Sequence, residues 1–208
     1  MDYRLCLLWL LALPSWALAG SCTVLIVGDS LSSGYGLAPG QGWVELLDAR
    51  LKKNVPQWRA VNASITGDTT QNGLLRLQPA LDRHRPHGVL IELGGNDALR
   101  GTPLETIRQN LVTLIRQARA QGAWVALLEA PVLPNYGKPY AEAVAKLYVD
   151  VARAEKIVRV PCFVCKVAVM PGMMQADGIH PNEKAQGKML DAVWPYIKPK
   201  LRCPVNRP

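Results

Sequence analysis

Five short apolar runs, separated by longer amphipathic segments, constrain this chain more than any other feature of its sequence. Thr23-Val24-Leu25-Ile26-Val27 is apolar throughout, the pattern of a strand buried on both faces. Similar runs predict strands over 59–63, 89–93, 124–128 and 157–160. Apolar residues at helical spacing predict helices over 43–53, 71–83, 104–120, 140–155 and 181–201. Leu74, Leu75, Leu77 and Leu81 share one side of the second, and Ile107, Leu111, Leu114 and Ile115 face inward from the third. Gly122 suits the end of that third helix, and Pro181 suits the first turn of the last. Strands and helices alternating in this way predict α/β architecture: a three-layer α/β/α sandwich around a five-stranded parallel sheet. With 208 residues the chain reads as one domain, long enough to bury a core without staples. At 49% hydrophobic and 19% charged residues it is neither disordered nor fibrous.

The first 19 residues, MDYRLCLLWLLALPSWALA, stand apart from this pattern. Arg4 precedes an apolar stretch from Leu5 to Leu13, and Ala17-Leu18-Ala19 supplies a small-x-small cleavage site. A spanning helix needs about 20 apolar residues, more than this run has. The expectation is therefore a cleavable signal peptide (1–19), a mature domain (20–208), and a periplasmic or secreted location. A lipid-modified Cys22 ranks behind it, since Ala19-Gly20-Ser21 lacks the upstream Leu of the lipoprotein pattern.

Lys and Arg outnumber Asp and Glu by 24 to 16, for a net charge of +8. That balance favours anionic surfaces and suggests weak association with an anionic membrane face. The basic residues are dispersed, densest at Lys198-Pro199-Lys200-Leu201-Arg202, and no nucleic-acid-reading motif accompanies them, so no nucleic-acid partner is expected.

The chemistry-bearing motifs fall where strands end or the last helix begins. Gly28-Asp29-Ser30-Leu31-Ser32 follows the first strand and Asn62-Ala63-Ser64-Ile65-Thr66-Gly67-Asp68 the second. Gly94-Gly95-Asn96-Asp97 closes the third, and Asp177-Gly178-Ile179-His180 precedes the last helix. In a parallel sheet these positions share the carboxyl rim, where ligands bind. Ser30 is the expected nucleophile on a strand-to-loop turn, with Gly28 leaving room for substrate to approach. His180 can take the Ser30 proton and return it to a leaving group, because imidazole titrates near neutrality. Asp177, three residues before it, can hold the other ring nitrogen. Position 32 is Ser, so the Gly-x-Ser-x-Gly elbow is absent. Asp29, Asp68 and Asp97 are expected to bond local backbone and shape the loops.

These motifs, GDSLSSGYG (28–36), NASITGDT (62–69), LGGNDALRG (93–101), PNYG (134–137) and DGIHPN (177–182), resemble those of the SGNH, or GDSL, hydrolases across essentially the whole mature chain. The resemblance implies a flavodoxin-like SGNH fold and a serine esterase acting on acyl thioesters, lysophospholipids and aryl or short-chain esters. It also implies an oxyanion hole built from the Ser30 and Gly67 N–H groups and the Asn96 side-chain amide, with Gly67 avoiding a side chain that would crowd the carbonyl. Placement after strands three and four makes Leu99, Leu133 and Tyr136 the expected apolar contacts of the substrate. The expected partner is a small-molecule acyl ester or thioester and the expected state a monomer. No cofactor or metal is implied: the chain has no Walker loop, no His-Glu-x-x-His and no Gly-x-Gly-x-x-Gly after a strand. His84 and His87, at the opposite rim, read as a solvated connector. A carbohydrate acetylesterase, or a non-catalytic acyl- or glycan-binding protein of the same fold, remains the alternative.

Five cysteines fit export. Cys6 would leave with the signal, and Cys22, Cys162, Cys165 and Cys203 allow three pairings. Topology favours Cys22 with Cys203, because the last helix runs from the motif rim to the rim where the first strand begins. Cys162 and Cys165 are then a structural pair or two buried thiols.

Overall fold

A computed structural model describes residues 22–131 and 136–203. The segment 1–19 expected to be a signal, and Leu133, lie outside the described residues. Five strands, β1 (Cys22–Gly28), β2 (Trp58–Asn62), β3 (Gly88–Glu92), β4 (Trp124–Leu128) and β5 (Val158–Val160), form one sheet in the order β2-β1-β3-β4-β5. Every pairing is parallel, as crossover helices require. The helices are α1 (Ser30–Ser33), α2 (Trp43–Asn54), α3 (Thr70–His84), α4 (Gly95–Leu99), α5 (Leu104–Ala120), α6 (Lys138–Ala154), α7 (Cys165–Ala168) and α8 (Glu183–Ile197).

Side-chain alternation along each strand divides the core in two. Val24 and Ile26 of β1, Leu90 of β3 and Ala126 of β4 pack against Trp43, Leu47 and Leu51 of α2 and Met189 and Val193 of α8. Leu25, Val27, Val89, Ile91 and Leu127 face Leu77 of α3, Leu111 and Ile115 of α5 and Leu147 of α6. These strands are apolar in continuous runs because helices cover both faces. Strand order reverses between β1 and β3, the place where doubly wound sheets leave a crevice at their carboxyl ends. The loops after β1 and β3 carry Ser30 and Asn96 into that crevice.

The three short helices α1, α4 and α7 are too brief to show a period in sequence. Gly122, at φ +73°, follows α5 in the left-handed conformation expected of it. The last helix departs from expectation at both ends. Pro181 bridges Met174 in an isolated antiparallel pair, and Asn182 is the N-cap, its side chain accepting from the Lys184 N–H at 3.1 Å. At the other end α8 stops at Ile197, and Lys198–Lys200 is a 3-10 turn containing Pro199.

His87 also differs from the expected solvated connector. It is half-buried, its Nδ1 accepts from the Thr23 N–H at 3.3 Å, and its ring meets the edge of Trp58 at 5.9 Å. It helps tie the start of β3 to β1. No His, Cys, Asp and Glu group suited to a metal occurs among the described residues. Cys22–Cys203 and Cys162–Cys165 are both closed as disulfides, the pairing that topology favoured.

Candidate active site

At the end of β1 the backbone turns directly into α1. Asp29 is its N-cap, accepting the Leu31 N–H at 3.0 Å, and Ser30 is its first residue, opening a short helix where a loop was expected. Ser30 Oγ lies 2.9 Å from His180 Nε2, and His180 Nδ1 lies 2.6 Å from Asp177 Oδ2. Asp177 also accepts the Ile179 and His180 N–H groups, at 2.9 and 3.0 Å. The His180 N–H, the His180 ring and the Ile179 N–H together lower its pKa to about 2, so it is ionised at any working pH. Gln175 fastens this segment: its N–H donates to the His180 carbonyl at 2.8 Å, and its side-chain amide reaches the Tyr35 carbonyl at 2.9 Å. The Tyr35 ring packs on the His180 ring, centroids 4.5 Å apart. Sequence reading did not single out Tyr35 or Gln175, since nothing local in the chain marks a residue that meets a partner some 140 positions away.

The expected oxyanion donors lie on the loops next to this turn: the Asn96 amide reaches Asp29, and the Ile65 N–H of the Gly67 loop donates to the Gly28 carbonyl at 3.0 Å. Neither the Ser30 nor the Gly67 N–H is spent on a protein acceptor among the described residues. Gly67 has φ +82°, and a Cβ there would meet nothing within 4 Å. The glycine therefore answers a backbone need, the left-handed conformation, and relieves no crowding by protein atoms. Asn96 Nδ2 donates to Asp29 Oδ2 and to the Asp68 carbonyl, each at 2.9 Å. Both amide protons are thus held by protein acceptors. Gly28 likewise serves the interior: a Cβ there would fall 2.7 Å from Glu92 Oε2 and 2.9 Å from the Ser32 side chain. Its bareness lets the nucleophile turn close onto Glu92, in place of the expected role of admitting substrate.

Of the three aspartates, Asp29 and Asp97 do bond backbone: Asp29 accepts Leu31 N–H, and Asp97 accepts the Thr70 N–H at 2.8 Å and its hydroxyl at 2.6 Å. Asp68 differs, forming an ion pair with Arg76. Arg76 also donates to the carbonyls of Ala63 and Gly28, joining the loops that carry Gly67 and Ser30. Leu99 and Tyr136 come together, the Tyr136 hydroxyl donating to the Leu99 carbonyl at 2.9 Å. Tyr140 donates to the neighbouring Ala98 carbonyl at 3.1 Å and lies beside Tyr136.

Glu92 escaped the sequence reading. It is fully buried at the end of β3, and burial, reinforced by the nearby Asp29 charge, raises its pKa well above the ordinary carboxyl range. Burial also raises Asp29, to about 6. An acid closing an otherwise apolar strand was the available signal.

The chain is similar to known proteins over most of its length. The model of the GDSL-like lipase/acylhydrolase family matches residues 26–188. The chain is 49% identical over 183 residues to esterase TesA of Pseudomonas aeruginosa, covering 88% of this chain and 91% of that one. It is 38% identical over 189 residues to thioesterase 1/protease 1/lysophospholipase L1 of Escherichia coli K12, covering 91% and 89%. The crystal structure of esterase EstA from Pseudoalteromonas sp., inhibited by monoethylphosphonate, superposes with a TM-score of 0.82 at 37% identity, over 86% of this chain and 98% of that one.

Proposed function

The chain belongs to the GDSL-like lipase/acylhydrolase family and is an enzyme that hydrolyses ester and thioester bonds of small molecules, and from that premise we propose that Ser30, His180 and Asp177 are its catalytic triad. The observation that carries the assignment is the unbroken relay from Ser30 Oγ to His180 at 2.9 Å and from His180 to Asp177 at 2.6 Å.

In this reading Ser30 Oγ attacks the acyl carbonyl carbon as its proton passes to His180 Nε2. The resulting oxyanion is held by the Ser30 and Gly67 N–H groups and by Asn96 Nδ2. The carbon–oxygen or carbon–sulfur bond then breaks, and His180 returns the proton to the departing alkoxide or thiolate. Water, deprotonated by the same imidazole, attacks the acyl carbon; the acyl carbon–Oγ bond breaks, His180 returns the proton to Ser30 Oγ, and the carboxylic acid leaves. Asp177 keeps the ring oriented and balances the imidazolium charge. Leu99 and Tyr136 wall the acyl side, and the substrates are acyl thioesters, lysophospholipids and aryl or short-chain esters. Residues 1–19 direct export and are removed, leaving 20–208 as a monomer in the periplasm or outside the cell. Closed disulfides support an oxidising compartment. The net charge of +8 supports weak attraction to anionic membranes.

The test is a series of p-nitrophenyl esters from acetate to palmitate, followed by labelling with an organophosphonate. Turnover with an optimum beyond acetate, and one phosphonyl group on the Ser30 peptide, is the expected result. A label on another residue would overturn the triad, and a preference for acetylated sugars would move the substrate class to carbohydrate esters. Asn96→Ala is expected to lower kcat by about 10²–10³, the usual cost of one oxyanion donor. A loss confined to KM would remove Asn96 from that role.

A further inference from the structure

Glu92 sits directly beneath the nucleophile turn. Its Oε2 accepts the Ser32 hydroxyl at 2.7 Å and the Asp29 N–H at 3.3 Å, the residues on either side of Ser30-Leu31. Its Oε1 has no hydrogen-bond partner among the described residues. Asp29, so held, caps α1 through the Leu31 N–H and takes one Asn96 amide proton at 2.9 Å. One carboxyl thus reaches both the helix start bearing the nucleophile and the side-chain donor of the oxyanion hole.

We propose that Glu92 is a positioning residue for the hydrolysis, acting as a neutral carboxylic acid that braces the Asp29–Ser32 turn and, through Asp29, the Asn96 amide. This rests on the triad and oxyanion assignments made above. Neutrality follows from its surroundings. Asp29 and Ser32 approach it from the α1 side. Asp29 and Tyr148 on α6 interact electrostatically with it; Tyr148 in turn feels Asp97 on α4, and Asp29 feels Asp68 and His180. Arg76, the cation entering this region, is taken up by Asp68 and the carbonyls of Ala63 and Gly28. A sealed carboxylate with no cation costs several kcal/mol, whereas the protonated acid needs none. A second buried charge beside Asp29 would also push the two side chains apart and loosen Asn96.

Glu92→Gln keeps an accepting oxygen and no charge, so its kcat is expected to stay within about threefold of wild type. Glu92→Leu removes the acceptor and should lower kcat by about 10–100-fold with little change in KM, less than losing a donor outright. Stability supplies an independent readout. An acid whose folded pKa lies above its ordinary 4.5 contributes fully below that value, and the contribution is lost as pH rises toward the folded pKa. Gln does not titrate, so the Tm advantage of Glu92→Gln over wild type should widen with increasing pH. Infrared spectra at neutral pH should show a carboxylic-acid carbonyl band in wild type that Glu92→Gln lacks, which holds even if Glu92→Leu fails to fold.

Ser30→Ala, measured alongside, separates the two readings. If it retains turnover, the triad falls and the role of Glu92 falls with it. If it is inactive while folded Glu92→Leu keeps its kcat, only the positioning role is overturned. A folded Glu92→Gln as slow as Glu92→Leu, a pH-independent Tm difference, or no acid band would each overturn it as well.

Discussion

Ser30→Ala is expected to lower kcat/KM for p-nitrophenyl esters by roughly 10⁴–10⁶, as in other dissected triads, with Tm essentially unchanged. The stability half of this expectation comes from the contacts of the hydroxyl. Ser30 Oγ bonds His180 in a half-buried position, and the fold around it is held by other groups: Asp29 at the cap, Glu92 beneath, and Arg76 across the loops. Losing one oxygen there leaves no sealed polar group without an alternative in water. The activity half comes from chemistry, since the relay through His180 is built on the Ser30 oxygen. Turnover within tenfold of wild type, at matched purity, would mean that another group performs the attack.

Breaking Cys22–Cys203 is expected to have the largest effect on stability. The bridge spans a sequence separation of 181, joining the start of β1 to the chain just beyond α8. Loop-closure entropy for a ring of that size is about 5 kcal/mol in the unfolded state. For a chain of this length that corresponds to a Tm fall of roughly 10–20 °C. Cys162–Cys165 closes a ring with a separation of only 3, so its removal should cost far less. Double alanine variants of each pair, melted under oxidising conditions, make the comparison. Equal losses, or a negligible one for Cys22–Cys203, would contradict the loop-size argument. Ester turnover at low temperature should survive the loss of Cys22–Cys203, because Cys22 begins β1 at the rim opposite Ser30.

Residues that act through their own chemistry or through a local turn were legible in the sequence. Ser30, Asp177 and His180 come together as their motifs predicted, and Asp-x-x-His is a spacing that one turn satisfies by itself. Gly67 and Asn96 were legible only through their resemblance to a family, because a backbone N–H and a lone amide carry no pattern of their own. At Gly67 the structure adds a backbone need, a positive φ, with no protein atom near the missing side chain. Gly28 was misread, since the partner that demands its bareness is Glu92, more than sixty positions along the chain.

What the amino-acid sequence determined alone was the alternation of strand and helix, the parallel sheet, and the rim on which the motifs gather. Those follow from periodicity and connection length, both read along one chain. Only the tertiary structure decided how the loops brace one another: Glu92 under Asp29 and Ser32, Arg76 between two loops, Asn96 held by Asp29 and Asp68, and Tyr35 against His180. Such contacts join residues distant in sequence, and their energies depend on burial and on partners that no local pattern encodes. The ionisation of a carboxyl such as Glu92 belongs to the same class, because it is set by the groups folding packs around it.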